Sequence, residues 1–224
     1  MTKLVLFDID GTLVHTNGAG VEAFARVFAT EFKVRHGAED IRFAGRTDRS
    51  LLREFFREYG IAYTEGNLER FTESYFFWLD HLLRERGGGV FPGVLDWLGA
   101  LRSRPEPPLL GLLTGNLRLG AEIKLRYFGL WEHFGLGAFA DDHEDRNQLA
   151  VIARQRGSRL LGRELRGAEI AIIGDTPLDI ACARAIGAKS LAVATGGHGL
   201  EELRAHQPTW AVEDLTRMAA GELG

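Results

Sequence analysis

The sequence predicts an α/β protein: a doubly wound parallel sheet carrying a small inserted α-helical cap. Three observations predict it. Short, wholly apolar runs bounded by polar turns recur along the 224 residues, as expected of strands buried on both faces. From residue 93 onward these runs alternate with single helical patterns, the order of a sheet covered on both sides. Between the first run and the second stand three amphipathic helical patterns, more than one crossover needs.

The first strand is Leu4-Val5-Leu6-Phe7, four apolar residues that stop abruptly at Asp8. His15 to Gly20 makes a small-residue exit from it. Helical spacing then links Phe24, Val27, Phe28 and Phe32; Leu51, Leu52, Phe55, Phe56 and Tyr59; and Leu68, Phe71, Tyr75, Leu79 and Leu82, each set a single apolar stripe. Such stripes face a core, so the aromatics are expected to pack rather than cage a ligand. The run Arg86 to Gly93 contains four glycines and Pro92, which stops a helix, and with Gly18 and Gly20 it could form a pair of hinges. The division expected is a core of 1–14 and 93–224 and an insertion of 15–92. Within the core a helix is expected over Val94 to Ser103, and strands over Leu109 to Leu113 and near Gly137 to Ala140. A helix running from after Asn116 to about Gly129 and another over about Gln148 to Gln155 follow those two strands. Glu169 to Ile173 and Lys189 to Ala194 complete the main strands, and Trp210 to Val212 adds a short edge strand.

Composition narrows the function. A net charge of −4 gives no reason to expect nucleic acid or an anionic membrane, although a local site can still take an anion. One cysteine, Cys182, excludes an internal disulfide or a cysteine-rich zinc site and fits a reducing compartment. No apolar run is long enough to span a bilayer and no signal peptide is visible, so the cytoplasm is expected. His-Glu-x-x-His is absent, and Gly196-Gly197-His198-Gly199 lacks the order of a dinucleotide loop. Asp141 to Asp145 reads as a solvated charged loop, His15 as weak evidence of a site, and Cys182 as packing.

Polar clusters follow the strands. Asp8 and Asp10 leave one face of an extended segment with Gly11 turning the chain beneath them, and two carboxylates so close call for a cation or a shared proton. A magnesium site or an acid/base pair would satisfy them. Thr114-Gly115-Asn116 offers a hydroxyl, a bare backbone and an amide at a helix entry, suited to a phosphate oxygen, though Thr114 could equally be a helix cap. In Gly174-Asp175-Thr176-Pro177-Leu178-Asp179, Thr176 and Asp179 have capping-box spacing, which leaves Asp175 to face the crevice with Asp8 as a hard oxygen ligand of magnesium type.

Asp-x-Asp-Gly-Thr after a buried strand, a following Thr, and Gly-Asp-x-x-x-Asp together resemble the haloacid dehalogenase-like superfamily, most of whose members are phosphatases. The resemblance covers the core nearly end to end, and the cap only in position, size and helicity. It implies Asp8 as nucleophile and Asp10 as general acid and base. It implies Thr114, Gly115 and Asn116 as phosphate-binding groups, magnesium on Asp8, Asp10 and Asp175, and Asp179 behind them. The family also places a cation, usually lysine, between these clusters. Only Lys3, Lys33, Lys124 and Lys189 exist. Lys3 and Lys189 start strands, Lys33 lies in the insertion, and Lys124 stands roughly 12 Å along its helix from Asn116 and moving away. Arg146 then takes the place of the family's lysine; its alternative is a surface arginine pairing with Asp142 or Glu144. The layout most resembles phosphoglycolate phosphatase-like hydrolases, acting on a small phosphorylated metabolite as monomer or homodimer. A mutase of the beta-phosphoglucomutase type, with Arg46 or Arg49 binding a second phosphate, shares these residues. A non-enzymatic receiver-like domain is a more distant alternative.

Overall fold

The computed structural model describes residues 1–34 and 44–224. Six parallel strands form the main sheet: β1 (Leu4–Phe7), β4 (Leu109–Leu113), β5 (Leu136–Ala138), β6 (Ile170–Gly174), β7 (Lys189–Val193) and β8 (Trp210–Val212), in the order β5-β4-β1-β6-β7-β8. The chain therefore builds outward from β1 on one side, then returns and builds outward on the other. Strand order reverses beside β1, and it is at such a switch point that open α/β sheets form a crevice.

Side-chain alternation sorts the core into two layers. Val5 and Phe7 face α4 (Val94–Arg102) and α5 (Arg118–Tyr127), where Trp97, Leu98, Leu101, Ala121 and Leu125 pack against them. Leu4 and Leu6 face α6 (Arg146–Leu160) and α7 (Pro177–Ala185) through Leu149, Ala150, Ala153, Cys182 and Ala183. Burial on both faces explains why each strand reads as an unbroken apolar run. A last helix, α8 (Leu200–Ala205), buries Leu203 near β8.

Between β1 and α4 lie α1 (Ala19–Glu31), α2 (Asp48–Glu58) and α3 (Glu65–Arg86), with a core of their own. It is strongly aromatic. Phe28 alone has its ring within 6 Å of those of Phe24, Phe32, Phe55, Phe56 and Phe71. Thr47 and Thr64 cap α2 and α3, accepting hydrogen bonds from Ser50 N–H and Asn67 N–H.

The two glycine-bearing connections to these helices, expected as a pair of hinges, run side by side. They pair with each other as a two-stranded antiparallel ribbon, β2 (Val14–His15) with β3 (Gly89–Val90). Phe91 N–H extends the ribbon to Leu13 O at 3.0 Å, and Asn17 Nδ2 donates to Arg86 O at 3.0 Å. Among the described residues no helix is long and apolar enough to cross a membrane.

Phe28 is 1% exposed at the centre of the aromatic cluster. Phe28→Ala is expected to destabilise the insertion by about 3–5 kcal/mol, measured by urea unfolding followed by intrinsic fluorescence. A loss below about 1 kcal/mol would mean that the aromatic cluster is not its core.

Candidate active site

Sheet register fixes where the polar residues emerge. Phe7 pairs with both Leu112 and Ile173, so Asp8 leaves β1 beside Leu113 and Gly174, with Thr114 and Asp175 one step further on. Asp8, Asp175 and Asp179 each offer a carboxylate oxygen within 4.8 Å of the others, and all three are buried. Arg146, at the start of α6, reaches into this cluster. Its Nη2 lies 3.1 Å from Asp8 Oδ2 and 2.6 Å from Asp179 Oδ1, and its Nη1 donates to Gly45 O at 3.2 Å. The acids a surface arginine would have used are taken by others: Asp142 pairs with Arg156 at 2.6 Å and Glu144 with Arg53 at 2.8 Å.

One guanidinium does not balance three buried carboxylates. Burial pushes Asp8 up to about 6, against the pull of Arg146 and with Asp179 adding to the rise. Asp175 goes up to about 8, through burial first and then the charges of Asp8 and Asp179. Such crowding is relieved by protons or by a cation, and converging hard oxygen donors fit a small divalent ion. The two outer acids differ in what remains available. Asp179 Oδ2 accepts from Thr176 N–H at 3.1 Å and Thr176 Oγ1 at 2.7 Å, while its Oδ1 holds Arg146. Asp175 Oδ1 accepts from Thr12 Oγ1 at 3.0 Å, and its Oδ2 has no hydrogen-bond donor among the described residues. Gly11 turns with φ 81°, and a Cβ there would run into the Asp175 carboxylate, so only glycine permits this approach.

Asp10 stands apart from the cluster in which its carboxylate was expected. Lys124 Nζ lies 2.9 Å from its Oδ1 and 2.6 Å from its Oδ2, and Asn116 Nδ2 donates to Oδ2 at 2.8 Å. Lys124 also donates to Asn116 Oδ1 at 2.6 Å. The expectation that Lys124 moves away from the site is therefore wrong. It counted rise along the axis, whereas Lys124 sits on the buried face of α5 with Gly120 and Ala121, 3% exposed. From there its long side chain slants back toward the helix N-terminus.

The helix entry differs as well. α5 begins at Arg118, and its first N–H groups are already used: Leu117 N–H donates to Asp48 Oδ2 at 2.7 Å and Arg118 N–H to Asp141 Oδ2 at 2.5 Å. Thr114 does not cap the helix; its hydroxyl accepts from Asn116 N–H at 3.3 Å and Asn116 Nδ2 at 2.8 Å, forming a turn of its own. Gly115 lies directly under the insertion. A Cβ there would overlap the carbonyl of Arg46, and Asp48 N–H donates to Gly115 O at 2.7 Å. Asp48 was not singled out from the sequence. Burial pushes its carboxyl up to about 6, with the charge of Lys124 and the Leu117 N–H pulling it down.

These groups enclose a cavity of about 390 Å³. The core contributes Asp8, Asp10, Thr114, Gly115, Asn116, Arg146 and Asp175; the insertion contributes Val21, Ala44, Arg46, Asp48 and Tyr75. Arg46 is ion-paired with Glu54, and Arg49 is exposed. Cys182 is buried, its thiol pushed up to about 12 by burial, as expected of packing.

Residues 5–184 match the haloacid dehalogenase-like hydrolase family. The chain belongs to that family. It is an enzyme of the hydrolase class. Among relatives, the "Probable phosphatase IndB" of Dickeya dadantii is 28% identical over 97% of this chain and 92% of its own length. A phosphoglycolate phosphatase of Synechococcus elongatus is 28% identical over 94% and 92%. In fold, the chain matches CbbY from Rhodobacter sphaeroides, crystallised with phosphate, at a TM-score of 0.76 and 17% identity over 96% of this chain and 95% of that one.

Carboxyls held above their ordinary range favour the fold while protonated. Their contribution is complete below about pH 4, the value of a free carboxyl, and is lost as pH rises through about 6 for Asp8 and about 8 for Asp175. In chelator the protein is expected to unfold at lower urea at about pH 8.5 than at about pH 5.5. Asp175→Asn should recover on the order of 1–4 kcal/mol at the higher pH. Equal urea midpoints for parent and variant at high pH would contradict the charge crowding.

Proposed function

We propose that this chain is a magnesium-dependent phosphatase that hydrolyses a small phosphate monoester through a phosphorylated Asp8, with phosphoglycolate the leading candidate. One observation carries the reading. Two carboxylates two residues apart occupy different surroundings, Asp8 in the cluster with Arg146 and Asp10 against Lys124, while both line the same cavity. Separate environments for paired acids are how one site assigns them separate tasks.

An Asp8 oxygen attacks phosphorus in line, and the bond from phosphorus to the ester oxygen breaks. Asp10 gives its proton to that departing oxygen, so an alcohol leaves and Asp10 becomes a carboxylate. Asp10 then takes a proton from water as the water oxygen bonds to phosphorus. The bond from phosphorus to Asp8 breaks, releasing phosphate and restoring both acids. Arg146 offers fixed positive charge to the equatorial oxygens, and Thr114, Gly115 and Asn116 offer their remaining donors. Asp8 and Asp175 would hold magnesium, with Asp179 steadying Arg146 behind them, and the bound ion would neutralise the phosphate and orient it for attack.

The insertion acts as a cap that closes the cavity over the ester and keeps bulk water out. Its volume suits a small leaving group. The pairing of Arg46 with Glu54 supports hydrolysis over a mutase, which would need a free cation there for a second phosphate. The relative named phosphoglycolate phosphatase supports the choice of lead substrate. The expected setting is the cytoplasm.

A panel of small phosphate esters, assayed for released phosphate with and without magnesium, tests this reading. Turnover should require magnesium, vanish in Asp8→Asn, and fall about 10²–10⁴-fold in Asp10→Asn. Retained turnover in Asp8→Asn rules out the nucleophile.

A further inference from the structure

Asp10 has to present one carboxyl oxygen to the departing ester oxygen in the first step and to water in the second. It follows a strand on a turn, and its side chain is 43% exposed. Left alone, a carboxylate so placed would rotate freely, and a group that moves by an ångström loses much of its catalytic effect. Something must aim it.

Lys124 meets that need. Its ammonium bridges both Asp10 oxygens, and its third contact, Asn116 Oδ1, fixes the amide whose Nδ2 returns to Asp10 Oδ2. The three side chains close a ring of hydrogen bonds that leaves the carboxylate one orientation. The lysine also lies beneath the insertion. A Cβ on Gly20 of α1 would lie 3.4 Å from Lys124 Nζ, and the Tyr75 hydroxyl of α3 lies 3.8 Å from that same point. Asp48 of α2 is the further acid whose field the lysine shapes. Each of the three inserted helices therefore contributes a group around one ammonium of the core. Burying a lysine costs several kcal/mol of solvation, and an apolar residue of equal length would pack there more cheaply. Fold stability alone does not account for it.

We propose that Lys124 is a positioning residue that aims Asp10 at the reacting oxygen, under the cover of the three inserted helices. This rests on the phosphatase reading above. In this role Lys124, which lines the same cavity, acts through Asp10. With Gly20 and Tyr75 lying over the ammonium, the covered lysine keeps its bonds to Asp10 and Asn116 in preference to water.

Two esters separate aiming from mere packing. The phenolate of 4-nitrophenyl phosphate departs with little need of a proton, whereas the alkoxide of 2-phosphoglycolate needs one. In Lys124→Met, stopped-flow with 4-nitrophenyl phosphate should show a burst of nitrophenolate equal to the enzyme concentration. A steady rate about 10–100-fold below the parent follows, because only the water step still depends on Asp10. With 2-phosphoglycolate kcat should fall by a similar factor, without a burst of glycolate and with KM within about twofold. Lys124→Gln, which restores a donor at nearly the same length, should regain part of the steady rate. Circular dichroism checks folding; if the methionine variant does not fold, the same burst in the glutamine variant decides. Equal losses on both esters without a burst, or a raised KM at constant kcat, overturn the proposal for Lys124 alone. A parent enzyme that turns over neither ester overturns the phosphatase reading, and the role of Lys124 with it.

Discussion

Three carboxylates crowded around a single guanidinium are the constraint from which the rest of this molecule follows. Arg146 gathers Asp8 from the end of β1, Asp179 from the first turn of α7 and the carbonyl of Gly45 from the insertion, and it donates to the carbonyl of Leu113 at the end of β4. Four segments distant in sequence are tied to one buried charge. Breaking such an arrangement from one side strands an uncompensated charge in a dry interior, which is far worse than removing it whole. The sheet order, the short turn after β6 and the start of α6 are all held to positions that keep this group intact. The same crowding prepares the chemistry, because carboxylates short of positive charge attract a cation and, with it, an anionic ester.

Much of this was legible in the sequence, for a physical reason. Strands buried on both faces must be apolar throughout, so the point where polarity returns marks the strand end, and at a parallel sheet's carboxyl edge that point is also the crevice. Asp8, Thr114 and Asp175 were found by this logic, and register alone then brings them side by side. Arg146 was found by its place after the third main strand, on a family pattern. The helical stripes of the insertion announced its aromatic core through their spacing alone.

What escaped the sequence depends on contacts without a local signature. Lys124 meets Asp10 across 114 positions, and nothing in their neighbourhoods encodes the meeting. An estimate based on helical rise misplaced it because a lysine's reach and backward slant are comparable with the distance being judged. Asp48 was missed for a similar reason. On its own helix it is an ordinary first-turn acid, well suited to the dipole, and only docking sets its carboxylate on the Leu117 N–H. The amide groups expected to await a phosphate at α5 were likewise claimed by acids remote in sequence, Asp48 and Asp141.

The insertion crosses to the core by two peptides zipped side by side in the β2–β3 ribbon. Two independent tethers would let a lobe slide, twist and tumble. A paired ribbon resists shear along its length and bends far more readily about one line across it. Joined in this way, the insertion is restrained from sliding along the core more than two separate strands would restrain it. Because the insertion also supplies the Gly45 carbonyl to Arg146 and the Asp48 carboxylate to the turn before α5, exchanging it for another shape would alter the surroundings of the reacting groups as well as what is admitted.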